Sequence, residues 1–184
     1  MKLLDNLKGS FLIALFTFFI AILVTLSSQT RIEFIALEPS ILILLVIILI
    51  GIISDMVGVA ATVADEKTFN SMAARKIYGA KMGLFLVKRG DRVSSLMCDI
   101  IGDICGTVSG ATGAVIVLRI VSQWGGSETI VSLIVIGLIA ALTVGGKAFF
   151  KTYGLRKADQ IIFFVGKLLS GFSLLKYYFF QRKR

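Results

Sequence analysis

Apolar residues run in long unbroken blocks along this chain, and the polar positions gather between them. Blocks of this kind predict buried or membrane helices rather than strands, because nothing alternates with period two. A bilayer core of about 30 Å is crossed by about 20 apolar helical residues, and four blocks approach that length. The first, "FLIALFTFFIAILVTL", covers residues 11–26. It follows a basic N-terminus in the manner of a signal peptide, but no small-residue cleavage pattern follows, so it is read as an uncleaved helix over 11–27. The second runs over 39–63, the third over 93–121 and the fourth over 129–144.

The punctuation between blocks agrees with that division. Pro39, the single proline, fits the first turn of a helix, where its missing N–H costs nothing, and Glu38 suits the positive helix end. Residues 27–38 carry Arg31, Glu33 and Glu38 and read as an external loop. "SQWGGSE" reads as a tight turn between spans three and four, with Trp124 anchoring at the membrane interface. Residues 65–92 are polar, basic and rich in helix formers. Their apolar residues, Ala73, Ala74 and Ile77, then Met82, Leu84, Phe85 and Val87, predict two short amphipathic helices at the membrane surface with a break near Gly79–Gly83. The alternative is a loop with frayed helical turns. In the tail, residues 161–180 are long enough to span. However, Lys167 and Lys176 interrupt them at about 2.5–3.5 kcal/mol each near a helix centre, which favours an interfacial amphipathic helix over a fifth span.

Composition and charge sharpen the class. Hydrophobic residues make up 57% of the 184, too many for a soluble domain, which places the chain among polytopic membrane proteins. The net charge of +9 raises the question of nucleic acid. Of the 20 Lys and Arg residues, all but Arg31 and Arg119 fall before the first span, in the 65–92 segment, or after the fourth span. If those three regions face the cytoplasm, the bias is the one that orients membrane helices, and anionic lipid accounts for the basicity. The expectation is a single all-α membrane domain over 1–184 in the cell inner membrane, with both termini cytoplasmic. It has four transmembrane helices, two belt helices between spans two and three, and an interfacial tail helix over 154–184. No nucleic-acid motif is present.

Three carboxylates fall inside these spans. Asp99 and Asp103 of "CDIIGDICGTVSG" are four residues apart, so an α-helix places them on one face, and Gly106, Gly110 and Gly113 or Ala114 continue that stripe. Small residues let a second helix approach closely, which predicts that this face packs on protein rather than lipid. At about 1.5 Å per residue, Asp103 lies roughly 15 Å into its span. Asp55, in the antiparallel second span, enters from the same side. Arg119, near the outer end of span three, is expected to snorkel. An unpaired buried carboxylate either protonates or finds a cation, and acids within spans mark functional sites by default. Oxygen ligands without a single histidine suit Mg²⁺, Mn²⁺, Ca²⁺ or Na⁺ rather than zinc. Asp55 and Asp99 also fit a blander reading, as hydrated residues near the surface. Asp103 fits a second one, as a protonated packing residue. Cys98 and Cys105, seven residues apart on one helix, cannot bridge and read as packing residues. With no histidine, no paired nucleophile and base, and no phosphate loop, the chain is not expected to be an enzyme.

From about residue 52 to 118 the order "SDMVGVAATVAD", "AARKIYGAKMGLFLVKRGDRVSSL", "MCDIIGD" resembles the transmembrane domain of the cyclin-M/CorC/CorB magnesium transporter family. The core of that resemblance lies within 39–150. In the family a polar motif with a ligand serine ends one helix, two juxtamembrane helices follow, and the next helix bears a Gly-Asn pair. The resemblance implies that Asp103, in Gly102–Asp103, holds the asparagine position, and that Asp55 or, one residue earlier, Ser54 holds the serine position. It further implies Mg²⁺ transport through a carboxylate-lined cavity open to the cytoplasm, and a homodimer. The chain departs from the family in three ways. Carboxylates replace neutral ligands, a helix precedes the domain, and the CBS regulatory pair does not follow, so regulation would fall to a separate subunit. The competing expectation is a membrane scaffold or accessory subunit that uses the domain for helix packing alone.

Overall fold

Every regular element in the computed structural model is helical, and no strand occurs among the described residues, which are 36–181 together with Phe11, 14–23 and Leu26. A short apolar helix, α1, covers Ala14–Leu23. Apart from Phe11 and Leu26, the rest of the predicted first span, and the loop to residue 35, lie outside the described residues. Then come α2 (Leu37–Val63), α3 (Glu66–Ala74), α4 (Ala80–Val87) and α5 (Gly90–Ser94). A π-helical stretch over Ser95–Gly102 leads into α6 (Asp103–Trp124), followed by α7 (Glu128–Arg156) and α8 (Ala158–Gln181).

Three helical segments are long and apolar enough to cross a membrane: Leu37–Val63, Gly90–Trp124 and Glu128–Arg156. They correspond to predicted spans two, three and four, and make this an all-α chain of the kind that crosses a membrane several times. Two boundaries differ from expectation. α7 does not stop at Val144 but continues through Gly145 and Gly146 to Arg156. A glycine inside a helix costs only about 1 kcal/mol, too little by itself to stop one. The third segment is not one α-helix either, because residues 95–102 follow the wider π winding.

The chain divides into two compact units, one within Met1–Ile52 and Ile100–Gly146, the other within Ile53–Asp99 and Lys147–Arg184. In the first, Ser40, Leu44, Ile48 and Ile52 form the buried stripe of α2, at helical spacing. α6 buries Ile104, Val108, Ser109, Thr112, Ile116 and Val117. α2 and α6 approach closely at Gly51, where an added Cβ would stand 2.9 Å from Cys105 Cβ. Ile139 of α7 packs against Gly113, and Ile52 against Gly146. The turn after Trp124 is made by Gly125 and Gly126 at φ +73° and +107°, values that favour glycine.

The second unit has a core of Val57, Ala60, Ala61, Phe69, Leu86, Ala158 and Ile162. The two predicted short helices are α3 and α4. The interruption lies over residues 75–79, with Gly79 at φ +86° preceding α4, so Gly83 is inside the helix rather than in a break. α3 starts at Asp65, whose carboxylate accepts from the Lys67 and Thr68 amides at 3.1 and 3.2 Å and from the Thr68 hydroxyl at 2.8 Å. These bonds hold the Asp65 carboxyl below its ordinary value, the Thr68 hydroxyl contributing most. α8 lies on α4. A Cβ on Gly166 would stand 2.7 Å from the Gly79 carbonyl oxygen and 2.9 Å from the Gly83 amide. Phe69, fully buried, fills the space against Gly83.

Candidate functional site

The acid-bearing region is built on the join between the π-helical stretch and α6. Gly102 ends the π winding, and it is buried, with its carbonyl 3.8 Å from a Cβ built on Gly51. Asp103 opens α6 on the opposite, exposed side. Its carbonyl accepts the Thr107 hydroxyl at 2.9 Å. Thr107, Gly110, Ala114 and Leu118 continue the exposed face at helical spacing.

This face differs from the expected one in two respects. The stripe was expected to pack on another helix, but Cβ atoms built on Gly106 and Gly110 meet nothing within 4 Å. Only Gly113 is covered, because it points toward α7 and Ile139. The register that joined Asp99 to the stripe assumed continuous α-helix. Across residues 95–102 the winding is π, with i→i+5 bonding, so that four-residue spacing does not carry over.

The remaining predicted residues belong to the second unit. Ser54 is buried at 8% exposure and Asp55 is half-buried. The Asp55 backbone carbonyl accepts from the Cys98 thiol at 3.5 Å, and Cys98 Sγ lies 3.7 Å from the Ser94 hydroxyl. Gly58 leaves the room that Cys98 occupies. Cys98 thus packs and bonds locally, and both cysteines are free thiols. Asp99 is exposed. Among the described residues no group of three or more His, Cys, Asp or Glu stands close enough to hold a metal ion.

Two polar features of the first unit were not foreseen. Arg119 does more than snorkel: its Nη1 donates to the Ser40 hydroxyl at 3.5 Å, and Ser40 in turn donates to the Ala36 carbonyl at 3.0 Å. Thr112 is fully buried, and its hydroxyl finds no hydrogen-bond partner. Other hydroxyls on these helices bond back to the carbonyl four residues earlier, as Ser109 does to Cys105 at 2.7 Å and Thr143 to Ile139 at 2.7 Å.

No protein-family model, curated protein or solved structure matches this chain. What can be said of its class rests on the fold itself: an all-helical chain with three helices fit to cross a membrane.

Proposed function

We propose that this protein moves a hard divalent cation, Mg²⁺ in the first instance, across the membrane as a homodimer, with Asp103 as the central ligand. The observation that carries the reading is the position of Asp103, an exposed carboxylate within the span Gly90–Trp124. Exposed to lipid, an acid near a span centre costs about 2.5–3.5 kcal/mol on insertion scales, a cost that a bound cation or a covering partner removes. The bare glycine face beside Asp103 suits close approach of a second α6, and a two-fold contact there would bring two carboxylates together. Mg²⁺ binds through one or two carboxylates and keeps several of its waters, so such a pair needs no third acid. Ser54, Asp55 and Asp99 stay candidates for an entry or exit position. In this reading the chain has four spans, the first containing α1, with α3 and α4 as belt helices, α8 at the interface and both termini cytoplasmic. The charge distribution supports that orientation.

The test is Mg²⁺ flux into proteoliposomes, followed with an enclosed Mg²⁺-sensitive dye, alongside Mg²⁺-dependent thermal stabilisation in detergent. Asp103→Asn is expected to lower flux at least tenfold and to abolish the stabilisation. Unchanged values of both would sink the reading.

The bare face equally suits a scaffold that dimerises without transport. That reading expects Asp103→Ala to be tolerated while Gly110→Leu prevents assembly.

A further inference from the structure

The second unit contains two cavities that meet at the same two residues. One, of about 490 Å³, is lined almost entirely by apolar side chains of α2, α7 and α8, among them Ile53, Met56, Phe150, Ile161, Phe164 and Leu168. The other, of about 290 Å³, is polar and surrounds the α7–α8 junction, with Arg156, Asp65 and Asp159 in its wall. Lys157 and Gln160 line both. The apolar cavity alone lies within the range of about 300–1,000 Å³ usual for small-ligand sites. An apolar chamber that shares two wall residues with a polar one fits a molecule with a hydrocarbon tail and a polar head.

The unpaired donors favour a head rich in acceptor oxygens. By count the polar chamber is balanced, two basic groups against two acidic. The acids, however, are already engaged: Asp65 caps α3 through both oxygens, and Asp159 Oδ1 accepts from the Asp65 amide at 2.8 Å. Among the described residues neither Arg156 nor Lys157 is in an ion pair. Those bonds occupy the acids as acceptors without removing their charge, so what is unspent is the donor capacity of two adjacent side chains, of which Lys157 lines both chambers. Arginine and lysine side by side suit a phosphate, which arginine can hold by two parallel bonds.

From this juxtaposition we infer that the second unit holds one membrane phospholipid, its acyl chain between α2, α7 and α8 and its phosphate against Arg156 and Lys157. The site differs from the general attraction of a basic surface to anionic lipid, because it is saturable and contains one acyl chain. It does not depend on cation transport.

The experiment uses the full chain in detergent, with Phe164→Trp as reporter in a Trp124→Phe background and phosphatidylglycerol carrying a dibrominated acyl chain as quencher. Quenching is expected to saturate at one lipid per chain. Adding Lys157→Glu should raise the half-saturating concentration roughly 25-fold, since each basic group near an anionic headgroup contributes about a fivefold factor and reversal counts twice. Inorganic phosphate should not compete, which separates a lipid from a free anion. Leu133→Trp in the same background, on the exposed face of α7, should show only unsaturable quenching. If quenching at Phe164→Trp is equally unsaturable, or indifferent to Lys157→Glu, the site does not exist. Retained lipid in native mass spectra, expected for the unaltered chain and diminished by Lys157→Gln, gives the second readout should Lys157→Glu fold poorly.

Discussion

Gly166 of α8 rests directly on Gly83 of α4: a β-carbon built on Gly166 would stand 2.9 Å from the Gly83 amide nitrogen and 3.2 Å from its α-carbon. The obstructing atoms are backbone, so the clash cannot be relieved by turning a side chain. Gly83 has the Phe69 ring against it as well. Gly166→Ala should therefore destabilise the second unit by about 1–3 kcal/mol, the usual cost of overpacking. A thermal melt in detergent reads this, and limited proteolysis should show earlier cleavage in the tail. Gly137→Ala is the control. Nothing lies within 4 Å of a Cβ there, so the loss of glycine's extra chain entropy should raise stability by about 0.5–1 kcal/mol.

Thr112 offers a change that should stabilise. Its hydroxyl is buried without a hydrogen-bond partner, and an unpaired buried hydroxyl costs about 1–3 kcal/mol. Valine has nearly the same shape and no polar atom to strand. Thr112→Val is expected to raise the melting temperature, whereas Thr112→Ala should lower it by leaving a cavity in the buried face of α6. Equal melting temperatures for Thr112→Val and the unaltered chain would mean that the hydroxyl is bonded.

Asp65 gives a pH dependence of definite sign. Its carboxyl is held below the ordinary value by the Thr68 hydroxyl and by the Lys67 and Thr68 amides. A group whose folded value is depressed stabilises fully above its unfolded value, near 3.8, and that contribution disappears as pH falls through the lower, folded one. Amide protection factors over Glu66–Ala74, which remove the intrinsic pH dependence of exchange, should thus be steady from neutral pH down to about 4 and fall below it. Asp65→Asn keeps an oxygen to cap the helix but has no proton to gain, so its protection factors should show no step in that range.

Some of this was legible in the chain and some was not, for physical reasons. Pro39 and Glu38 announce the start of α2, and both stand in its first turn. Gly125 and Gly126 announce the turn before α7, because few other residues adopt their φ values. Those signals are local. The π winding over Ser95–Gly102 has none, since no residue type demands it. That is why Asp99 could not be assigned a face by counting. α7 runs on because the two glycines at 145–146 only weaken a helix and do not stop it. Gly166 and Gly83 lie far apart in sequence, and their contact arises from the packing of α8, which no local pattern encodes. At the candidate site, the sequence identified Asp103 and its small-residue face, but which neighbour would cover that face depends on contacts a sequence does not state. Arg119 was visible as a charge near a helix end. Its hydroxyl partner, Ser40, was hidden because serine is common on apolar helices for back-bonding alone.

The face of α6 that bears Asp103 yields a prediction in which folding and association separate. Gly106 and Gly110 are open, so a larger side chain there meets nothing within the chain. Gly110→Leu should leave the melting temperature of the monomer unchanged or slightly raised, because leucine is the better helix former by close to 1 kcal/mol. If two copies meet along this face, the same substitution blocks their close approach and should weaken the dimer at least tenfold, as read by single-molecule photobleaching or by energy transfer in liposomes. Gly113→Leu is the contrasting variant. It collides with Ile139 inside the chain and should lower the melting temperature itself. A dimer indifferent to Gly110→Leu would place the interface elsewhere. Asp103 would then be left facing lipid, at a cost of about 2.5–3.5 kcal/mol that only protonation or a bound cation could reduce.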